Sequence, residues 1–599
     1  MSTHDSLIKC LLILRKNKFH VVKPNKDWKA ILKPLSILHA ELVATAIKSA
    51  QSAGDLPEFE LPKLSISAPK NPDHGDYSFV TMSLTRLAKS KPLDIANAII
   101  KHLPEAEYLG EAYVIPPGFI NFRLNDDWLR KQVEIVIANA DTFGRIDNGK
   151  GQRAQVEFLS ANPTGPITIG RARGAILGDA IARILEAGGY EVEREYYFND
   201  AGMQMQNLGE SLRVRYLQEL GIDTEVQDKE KFYQGEYLID FAKELVADKG
   251  KDWVEEDWKP FKEYAKEQMF GWIKTTLDRI GIKHDVFFSE QSLYENNAVW
   301  DTLEQLKEKD YIYSSTVRES ESDEVKEANK HLKPAQWFRS TQVGDNEDRV
   351  VVKSNDEPTY TLPDIAYHKD KVDRGFDLLV NVLGSDHQTE ARVVKYGLEA
   401  IGYRHDHLHV IFMQMIRAVK DGKEVKMSTR RGVYDTLDEL IDLTSADAVR
   451  YFLMQRSPDS KIDFDIDLAV KQSNENPVYY IQYALVRCAG ILREAEARNF
   501  TDDGADLSLL AEEELKYIRK ILEFNEALNT AVEQLTPHTI AFYALDLANT
   551  FHPMYDKVRV FGEGIPDDIA KARLRFYKAT KIAFNRVLLL LGMSTPERM

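Results

Sequence analysis

Residues 160–174 form a turn whose glycines, prolines and hydroxyl side chains suit the binding of a phosphate group. The run reads SANPTGPITIGRARG and lies between a predicted strand at 155–159 and a predicted helix that ends near Gly188. A turn of this kind presents backbone N–H groups beside the positive end of a helix dipole, and both attract anions. The glycines stand at 165, 170, 174 and 178, so the turn matches neither of the common glycine-rich nucleotide motifs.

The same glycines have a second interpretation. Gly170, Gly174 and Gly178 are spaced by four residues, which would place them on one face of the helix and let that face pack closely against a sheet. We expect both uses: Gly165 and Gly170 shape the loop, and Gly174 and Gly178 allow close packing.

A second group of candidate residues is the basic run KEVKMSTRRG at 423–432, which follows a predicted strand. On its own, such a run is typical of a solvated turn. Combined with a phosphate-type turn in the same fold, it becomes a candidate cationic lid over a triphosphate. Its cations would stabilise the negative charge that develops on pyrophosphate as it leaves.

Alternating strands and helices are predicted to position both groups. This alternation indicates an α/β fold with a Rossmann-type, doubly wound parallel sheet. The predicted strands are 155–159, 191–197, 376–384 and 407–413, and the predicted helices include those in 165–188 and 201–220. The charged, helical stretch around 221–285 interrupts the strands and is predicted to be an insertion. We assign residues 151–443 to this nucleotide-binding catalytic domain.

The flanking segments differ in character. Residues 35–150 predict an N-terminal α+β domain, and the chain after residue 444 reads as helical throughout. Helices are predicted at 35–53 and 92–103, and a strand that contains a Pro-Pro-Gly turn at 113–122. We divide the remainder into a connecting segment at 444–470 and an all-α bundle at 471–599, with helices at 468–498, 507–535, 539–557 and 567–591. Residues 1–34 carry eight basic and two acidic residues. They predict a disordered extension, residues before the true start, or an organelle-targeting peptide.

The composition excludes several classes of protein. The 599 residues include 78 Lys plus Arg and 95 Asp plus Glu, a net charge of −17, and 43% are hydrophobic. This acidity argues against a general nucleic-acid coat but allows local basic patches. Two cysteines, Cys10 and Cys488, exclude a disulfide scaffold and a cysteine-rich zinc site and fit a reducing cytosol. No apolar run reaches the ~18–20 residues of a membrane helix.

One local basic patch is predicted near the C-terminus. Six basic residues and no acidic residue lie from Lys571 to Arg586, with aromatic residues between them. Basic and aromatic side chains together suit phosphate contact and base stacking. The alternative is a solvated basic face above an apolar core stripe. The candidate phosphate contacts are Lys571, Arg573, Arg575 and Lys578.

Several motifs, in their order along the chain, resemble those of class I arginyl-tRNA synthetases. They are the turn at 160–174, EVEREYYFNDAGMQ at 191–204, KMSTRRG at 426–432 and SNENPVYYIQYA at 473–484. HGDY at 74–77 and PGFINF at 117–122 resemble the N-terminal tRNA-binding domain of that family. The resemblance runs from about Leu35 to the terminal PERM at 596–599. It implies that the C-terminal helical bundle holds the anticodon stem-loop.

The resemblance implies that ATP adenylates arginine and that the arginyl group then passes to its tRNA. The signature usually written HIGH corresponds to Thr168-Ile169-Gly170-Arg171, in which Thr and Arg replace both histidines. The KMSKS signature corresponds to residues 426–430, in which Thr429 replaces the second lysine. The implied catalytic residues are Thr168, Gly170, Arg171, Lys426, Ser428 and Arg430. The implied ATP-binding residues are Thr168, Ile169, Gly170, Arg171, Gly384, Asp386, His387, Lys426, Met427 and Ser428.

An acidic arginine pocket is also implied, because a guanidinium has five donors and no acceptor. The implied pocket residues are Glu157, Asn162, Glu290, Tyr360, Asp364 and Gln388. Asp364 and Tyr360 are expected to hold the guanidinium, and Asn162 and Gln388 the α-amino and carboxylate groups. Glu157 and Glu290 either touch arginine or support the residues that do. The arginine carboxylate is already ionised and needs no general base, so His387 is expected to line the adenosine site.

The resemblance therefore implies a cytoplasmic, monomeric ligase for tRNA(Arg), L-arginine and ATP. Mg²⁺ would arrive with ATP, and neither a zinc site nor a membrane contact is expected. Two alternatives stay open. The altered HIGH signature is compatible with a catalytically weakened paralog that binds tRNA or arginine as a regulator. The second alternative is a nucleotidyl-transferring Rossmann enzyme that does not use tRNA. The N-terminal domain and the helical tail argue against this alternative.

Overall fold

The computed structural model describes residues 33–224, 231–424 and 436–599, and its N-terminal region is the predicted α+β unit. Nearly all of the predicted extension at 1–34 lies outside the described residues. An antiparallel sheet in the order β1-β2-β4-β3 packs with the neighbouring helices around one apolar core. The elements are α1 (Leu35–Ser52), β1 (Ile66–Ser67), β2 (Tyr77–Val80), α2 (Thr85–Ala88), α3 (Pro92–Lys101), β3 (Leu109–Ile115), β4 (Phe119–Leu124) and α4 (Asp126–Ala138).

The turn predicted within 113–122 is present, but it reverses the chain, so the segment is the β3–β4 hairpin and not one strand. Ile115 pairs with Phe119 across the turn. The turn holds the cis peptide bond Pro116–Pro117 and Gly118, whose φ is +157°. A Cβ on Gly118 would lie 2.5 Å from the Cβ of Pro92, so glycine is required at this close approach.

The central region confirms the doubly wound parallel sheet, whose strand order is β12-β11-β5-β6-β7. From β5 the chain continues outward through β6 and β7, and it later returns to build β11 and β12 on the other side. The order of the strands therefore reverses beside β5, and ligands of such sheets bind at the carboxyl ends of the strands next to that point. The elements are β5 (Arg153–Glu157), α5 (Ile169–Ala187), β6 (Glu191–Phe198), α6 (Met203–Glu219), α7 (Tyr237–Lys249), α8 (Trp258–Arg279), β7 (Val286–Ser289), α9 (Glu290–Glu295), α10 (Ala298–Glu308), β8 (Ile312–Ser315), α11 (Asp323–Asn329), β9 (Ala335–Phe338), β10 (Arg349–Val352), α12 (Thr361–Asp373), β11 (Leu378–Gly384), α13 (Gln388–Ile401) and β12 (Leu408–Met413).

Two segments interrupt the sheet, and the sequence predicted only the first of them. Helices α7 and α8 occupy the predicted insertion around 221–285. The second segment carries the antiparallel sheet β10-β9-β8, which packs with α10 and α12 around a separate apolar core. Its strands are only four residues long and include runs such as Ile312-Tyr313-Ser314-Ser315, which show little apolar alternation.

The chain after residue 444 is not wholly helical, which corrects the prediction for the connecting segment. Strand β15 (Ile462–Asp465) pairs in parallel with β13 (Ile416–Lys420), which also pairs with β14 (Lys423–Glu424). In β15 the side chains of Ile462 and Phe464 are buried and alternate with aspartates, the two-residue period of a strand. Three short helices complete this region: α14 (Leu437–Leu443), α15 (Ala446–Met454) and α16 (Ile466–Ala469).

The C-terminal region confirms the all-α bundle. Its helices are α17 (Pro477–Ala497), α18 (Glu512–Gln534), α19 (His538–Lys557) and α20 (Asp567–Leu590). Helix α17 begins nine residues later than predicted, because the Asn476 side chain accepts a hydrogen bond from the Val478 N–H and Pro477 takes the first helical position. Helix α20 packs against both α17 and the N-terminal α4. Among the described residues, every helix is too short or too polar to cross a bilayer.

Candidate active site

The turn between β5 and α5 brings a helix N-terminus to the carboxyl end of the sheet. Leu159 and Ser160 adopt positive φ values of 71° and 40°, and Thr168 has extended backbone immediately before the helix starts at Ile169. Gly170 and Arg171 are exposed in the first turn of α5. The open end of this helix thus supplies the backbone N–H groups and dipole that attract a phosphate.

The glycines of α5 divide as predicted between the loop and the packing face. A Cβ on Gly170 would meet only the Oγ1 of Thr168, at 4.0 Å. On Gly174 it would lie 3.0 Å from Met413 Cε, and on Gly178 only 2.1 Å from Phe158 Cγ. Close packing of α5 on the sheet therefore depends on Gly174 and Gly178, while Gly170 faces open space.

The chain that follows the second signature lies beside the first signature. Lys426, Met427, Ser428 and Arg430 lie in residues 425–435, outside the described residues. At the end of that gap, Thr436 forms an antiparallel bridge with Thr168, and the Leu437 N–H donates to Ile167 O over 2.8 Å. The first described residues after that gap, Thr436 and Leu437, are therefore neighbours of the first signature.

Three predicted pocket carboxylates converge near Tyr197, at the end of β6. Glu157 ends β5, Glu290 begins α9 directly after β7, and Asp364 lies in the first turn of α12. The Tyr197 hydroxyl donates to Glu290 Oε2 over 2.6 Å. Burial raises the pKa of Asp364 well above its usual range, and the charges of Glu290 and Glu157 raise it further. We call Glu157, Glu290 and Asp364 the carboxylate cluster; it is a site that favours a bound cation.

Glu157 differs from the other two members because it has a cation of its own. Its Oε2 accepts a hydrogen bond from Lys371 Nζ at 2.6 Å, and its Oε1 accepts one from Ser160 Oγ at 2.8 Å. Burial alone would raise the pKa of Glu157, but the charge and hydrogen bond of Lys371, with smaller contributions from His368 and the Ser160 hydrogen bond, together outweigh burial and lower the pKa. Neither Lys371 nor Tyr197 was predicted from the sequence as a site residue. Lys371 stands seven residues after Asp364, two turns along the same helix face, and that spacing was the available signal.

The other predicted ligand-binding residues lie around the ends of the strands. Tyr360, directly before α12, is 75% exposed, and Gln388, at the start of α13, is exposed as well. The Asn162 side chain donates to Gln204 Oε1 over 2.8 Å and accepts a hydrogen bond from the Asn199 N–H. The predicted adenosine-site residues lie at the carboxyl end of β11: Gly384 ends the strand, and Asp386 and His387 lie in the turn after it.

The basic run on α20 is engaged within the protein. Arg575 forms two hydrogen bonds with the Glu134 carboxylate of α4, at 2.5 and 2.6 Å, and a third with Asp502. Lys578 donates to Asp502 Oδ1 over 2.7 Å. Arg573 donates to Glu514 Oε1 and Lys571 to the backbone oxygen of Asp503. Contact with nucleic-acid phosphates by these four residues stays a prediction, and these internal bonds weigh against it.

Comparison with protein-family models covers most of the chain. Residues 39–124 match the arginyl-tRNA synthetase N-terminal domain. Residues 132–473 match the catalytic domain of the class I tRNA synthetases of the arginine type, and residues 481–599 match the DALR anticodon binding domain.

Relatives of similar length agree with these matches. The arginine–tRNA ligase of Desulforamulus reducens is 41% identical over 570 residues, which are 94% of this chain and 98% of that protein. The arginine–tRNA ligase of Bacillus subtilis is 40% identical over 572 residues, with the same coverage. Among solved structures, the Thermus thermophilus arginyl-tRNA synthetase shares the fold with a TM-score of 0.72, at 20% identity over 94% of this chain and 100% of that one.

Proposed function

This chain belongs to the arginyl-tRNA synthetase family, and we propose that the carboxylate cluster is where it binds arginine for attachment to tRNA. The reaction is the ATP-dependent formation of arginyl-tRNA, as in the arginine–tRNA ligases that it resembles over nearly their whole length. The observation that supports the residue assignments is the convergence of Glu157, Glu290 and Asp364 at the carboxyl ends of the strands, beside the open end of α5.

Arginine recognition rests on charge and donor count. A guanidinium offers five N–H donors and a fixed positive charge, so it binds where carboxylate oxygens converge and burial strengthens the attraction. Asp364 and Tyr360 hold the guanidinium, and Glu290, aligned by the hydroxyl of Tyr197, contributes to its field. Asn162 and Gln388 hold the α-amino and carboxylate groups of the substrate. The raised pKa of Asp364 means that its ionised form is unfavourable beside the other carboxylates, so a bound guanidinium would stabilise that form.

ATP is assigned to the region between α5 and the end of β11. Thr168, Ile169, Gly170 and Arg171 bind its phosphates at the N-terminus of α5, and Gly384, Asp386 and His387 line the adenosine. The bridge between Thr168 and Thr436 supports a role for Lys426, Met427, Ser428 and Arg430 over the same phosphates. Arg171 takes the place of a signature histidine, so we expect Arg171→Ala to slow charging. Mg²⁺ enters with ATP as part of the substrate.

The chemistry proceeds in two displacements. The ionised carboxylate of arginine attacks the α-phosphorus of ATP, pyrophosphate leaves, and arginyl-adenylate forms. A hydroxyl of the terminal tRNA adenosine then attacks the arginyl carbonyl carbon, and AMP leaves. Cations and helix N–H groups near the phosphates stabilise the charge that builds up on pyrophosphate.

The remaining regions are assigned to tRNA and to assembly. We propose the domain division at 35–150, 151–443, 444–470 and 471–599, with the first and last domains contacting tRNA, which the family matches at 39–124 and 481–599 support. A single chain supplies every member of the carboxylate cluster, which supports a monomer. We also propose a cytoplasmic enzyme without zinc.

Charging of total tRNA with labelled arginine, ATP and Mg²⁺ tests the function. We expect the intact protein to form arginyl-tRNA and Asp364→Asn to lower kcat/KM for arginine by about 100-fold or more, since a partner of a buried cation is lost. The matched control is Asp373→Asn on the same helix, where the carboxylate is half exposed and pairs with Lys369. If the intact protein binds tRNA but attaches no arginine, the regulatory paralog is the better description.

A further inference from the structure

Lys371 is a fully buried lysine directly behind the carboxylate cluster. Its side chain is 0% exposed. Besides Glu157, its ammonium donates to Asn381 Oδ1 over 3.0 Å and lies 4.5 Å from the centre of the Tyr367 ring. A lysine is almost never buried to this extent unless it is paired, so its charge has a defined use at this position.

The contacts of Lys371 connect Glu157 with the backbone of Asp364. Asn381 accepts from Lys371 and lies 2.7 Å from His368 Nε2, and His368 Nδ1 lies 2.8 Å from Asp364 O. All of these hydrogen bonds can form together if the Asn381 amide N–H donates to His368 Nε2 and Nδ1–H of a neutral His368 donates to Asp364 O. Burial lowers the pKa of His368 to about 4, with the charge of Lys371 lowering it further, which keeps that ring neutral.

The groups around Glu157 show that Lys371 is its principal counter-ion. Burial favours a protonated Glu157, whereas the charge and the hydrogen bond of Lys371 favour the ionised form. The titratable groups that face Glu157 from β6 and α12 are Tyr197, Asp364, Tyr367, His368 and Lys371. The uncharged donor Ser160 holds the other carboxylate oxygen. Of these groups, Lys371 is the one that carries a positive charge at neutral pH.

We propose that Lys371 is a positioning residue for arginine recognition, which holds Glu157 ionised and oriented in the carboxylate cluster without touching the substrate. This inference rests on the proposed arginine site. It gives Lys371 a specific part in that site: a cation of the protein holds a carboxylate in place and charged, so that this carboxylate can bind the cation of the substrate.

Removal of the ammonium should leave a buried carboxylate that takes up a proton. In Lys371→Met the stem of the side chain is kept, but Glu157 loses its counter-ion and binds arginine weakly until the pH is high enough to ionise it. We expect the KM for arginine to rise about 30-fold or more at pH 6.5, since loss of one partner of a buried charge pair leaves the other unpaired. The deficit should shrink as the pH rises toward 8.5, because Glu157 then loses its proton.

The experiment measures kcat and the KM values for arginine and ATP in the tRNA-charging reaction from pH 6.5 to 8.5. The variants are Lys371→Met, Glu157→Gln and the double variant, and the matched control is Lys369→Met on the same helix, where the lysine pairs with Asp373 at the surface. All values are taken relative to the wild-type protein at the same pH. In the Glu157→Gln background, Lys371→Met should add less than about twofold, since no carboxylate remains to be held ionised.

Two results would overturn the proposal. One is a rise in KM in Lys371→Met that is equal for arginine and ATP and constant with pH. The other is a rise in the KM for arginine that is fully additive with the rise in Glu157→Gln. If Lys371→Met does not fold, the double variant still tests the proposal, because the methionine and glutamine that it carries in place of the ion pair are both uncharged. The double variant should have the same KM for arginine as Glu157→Gln. A further tenfold rise in that KM would refute the proposed role of Lys371. Absence of arginine charging by the wild-type protein would refute the proposed function instead, so the two failures can be told apart.

Discussion

Gly178 in helix α5 gives a direct test of how the signature helix is held against the sheet. The residue lies in the helix interior, where alanine is normally the better residue by about 0.8–1.0 kcal/mol. A Cβ at Gly178 would lie 2.1 Å from the Cγ and 2.2 Å from the Cβ of buried Phe158. Ordinary carbon contacts begin near 3.5 Å. Gly178→Ala therefore forces a movement of about 1.4 Å between α5 and the chain that leaves β5.

The expected change in stability is the balance of these two effects. Overpacking of a well-packed core costs about 1–3 kcal/mol, and the helix preference of alanine offsets about 1 kcal/mol of it. We expect a net loss of up to about 2 kcal/mol. The matched control is Gly271→Ala in α8, another helix interior, where a Cβ would meet nothing within 4 Å. Gly271→Ala gains the helix preference of alanine without overpacking, so it should be more stable than the wild-type protein by about 0.5–1 kcal/mol.

Thermal melts of the two variants beside the wild-type protein measure the difference. A change of 1 kcal/mol in the free energy of unfolding shifts the melting temperature of a large domain by about 2–4 °C. The melting temperature should fall in Gly178→Ala and rise in Gly271→Ala. Thr168 lies ten residues from Gly178, about 15 Å along α5, so a displaced helix should also raise the KM for ATP in Gly178→Ala alone. If Gly178→Ala melts as high as Gly271→Ala and keeps its KM for ATP, close packing does not position the signature.

Three further outcomes follow from buried contacts. Tyr197→Phe removes the hydroxyl that donates to Glu290, and should raise the KM for arginine about tenfold in charging assays while the KM for ATP stays unchanged. Burial lowers the pKa of His39 to about 4, below its ordinary 6.5, so stability present at neutral pH is lost as the pH falls from 6.5 toward 4; melts of His39→Phe should show a smaller loss between pH 7 and pH 5. Gly592→Ala should lower the melting temperature, because Gly592 has a φ of +71° and a Cβ would lie 2.1 Å from the Arg450 guanidinium; an unchanged melt would show that this contact adapts.

The parallel sheet and the position of the site could be predicted from sequence because the two are linked by geometry. Alternating strands and helices give a parallel sheet, and in such a sheet side chains that follow different strands meet at one edge. Glu157 ends β5 and Glu290 begins α9 directly after β7, so both lie at that edge, whereas Asp364 lies in a helix that follows β10 of the second, unpredicted sheet. The choice of these three residues came from the resemblance to arginyl-tRNA synthetases, and the sheet geometry accounts for the meeting of Glu157 and Glu290.

Lys371 could not be predicted in the same way, because its role depends on partners that local pattern does not reveal. On its own helix the spacing from Asp364 shows a shared face, but a lysine on a helix is more often exposed than buried. Its partners, Asn381 and Glu157, are ten and 214 residues distant along the chain. Only the packing of α12 against β5 and β11 removes water from the ammonium and makes its pairing obligatory.

The basic run on α20 also has partners that its local sequence does not reveal. Its charges predicted a phosphate-binding surface because six basic residues without an acidic one leave a strong local positive field. In the structure, Arg575 meets Glu134 of the N-terminal domain, 441 residues away, and Lys578 meets Asp502 in the loop before α18. Buried or half-buried pairs of this kind hold domains in register, so opening them for a phosphate would expose carboxylates to the same polyanion. The positive charge of α20 is therefore used largely within the protein, which weighs against phosphate contact by these side chains.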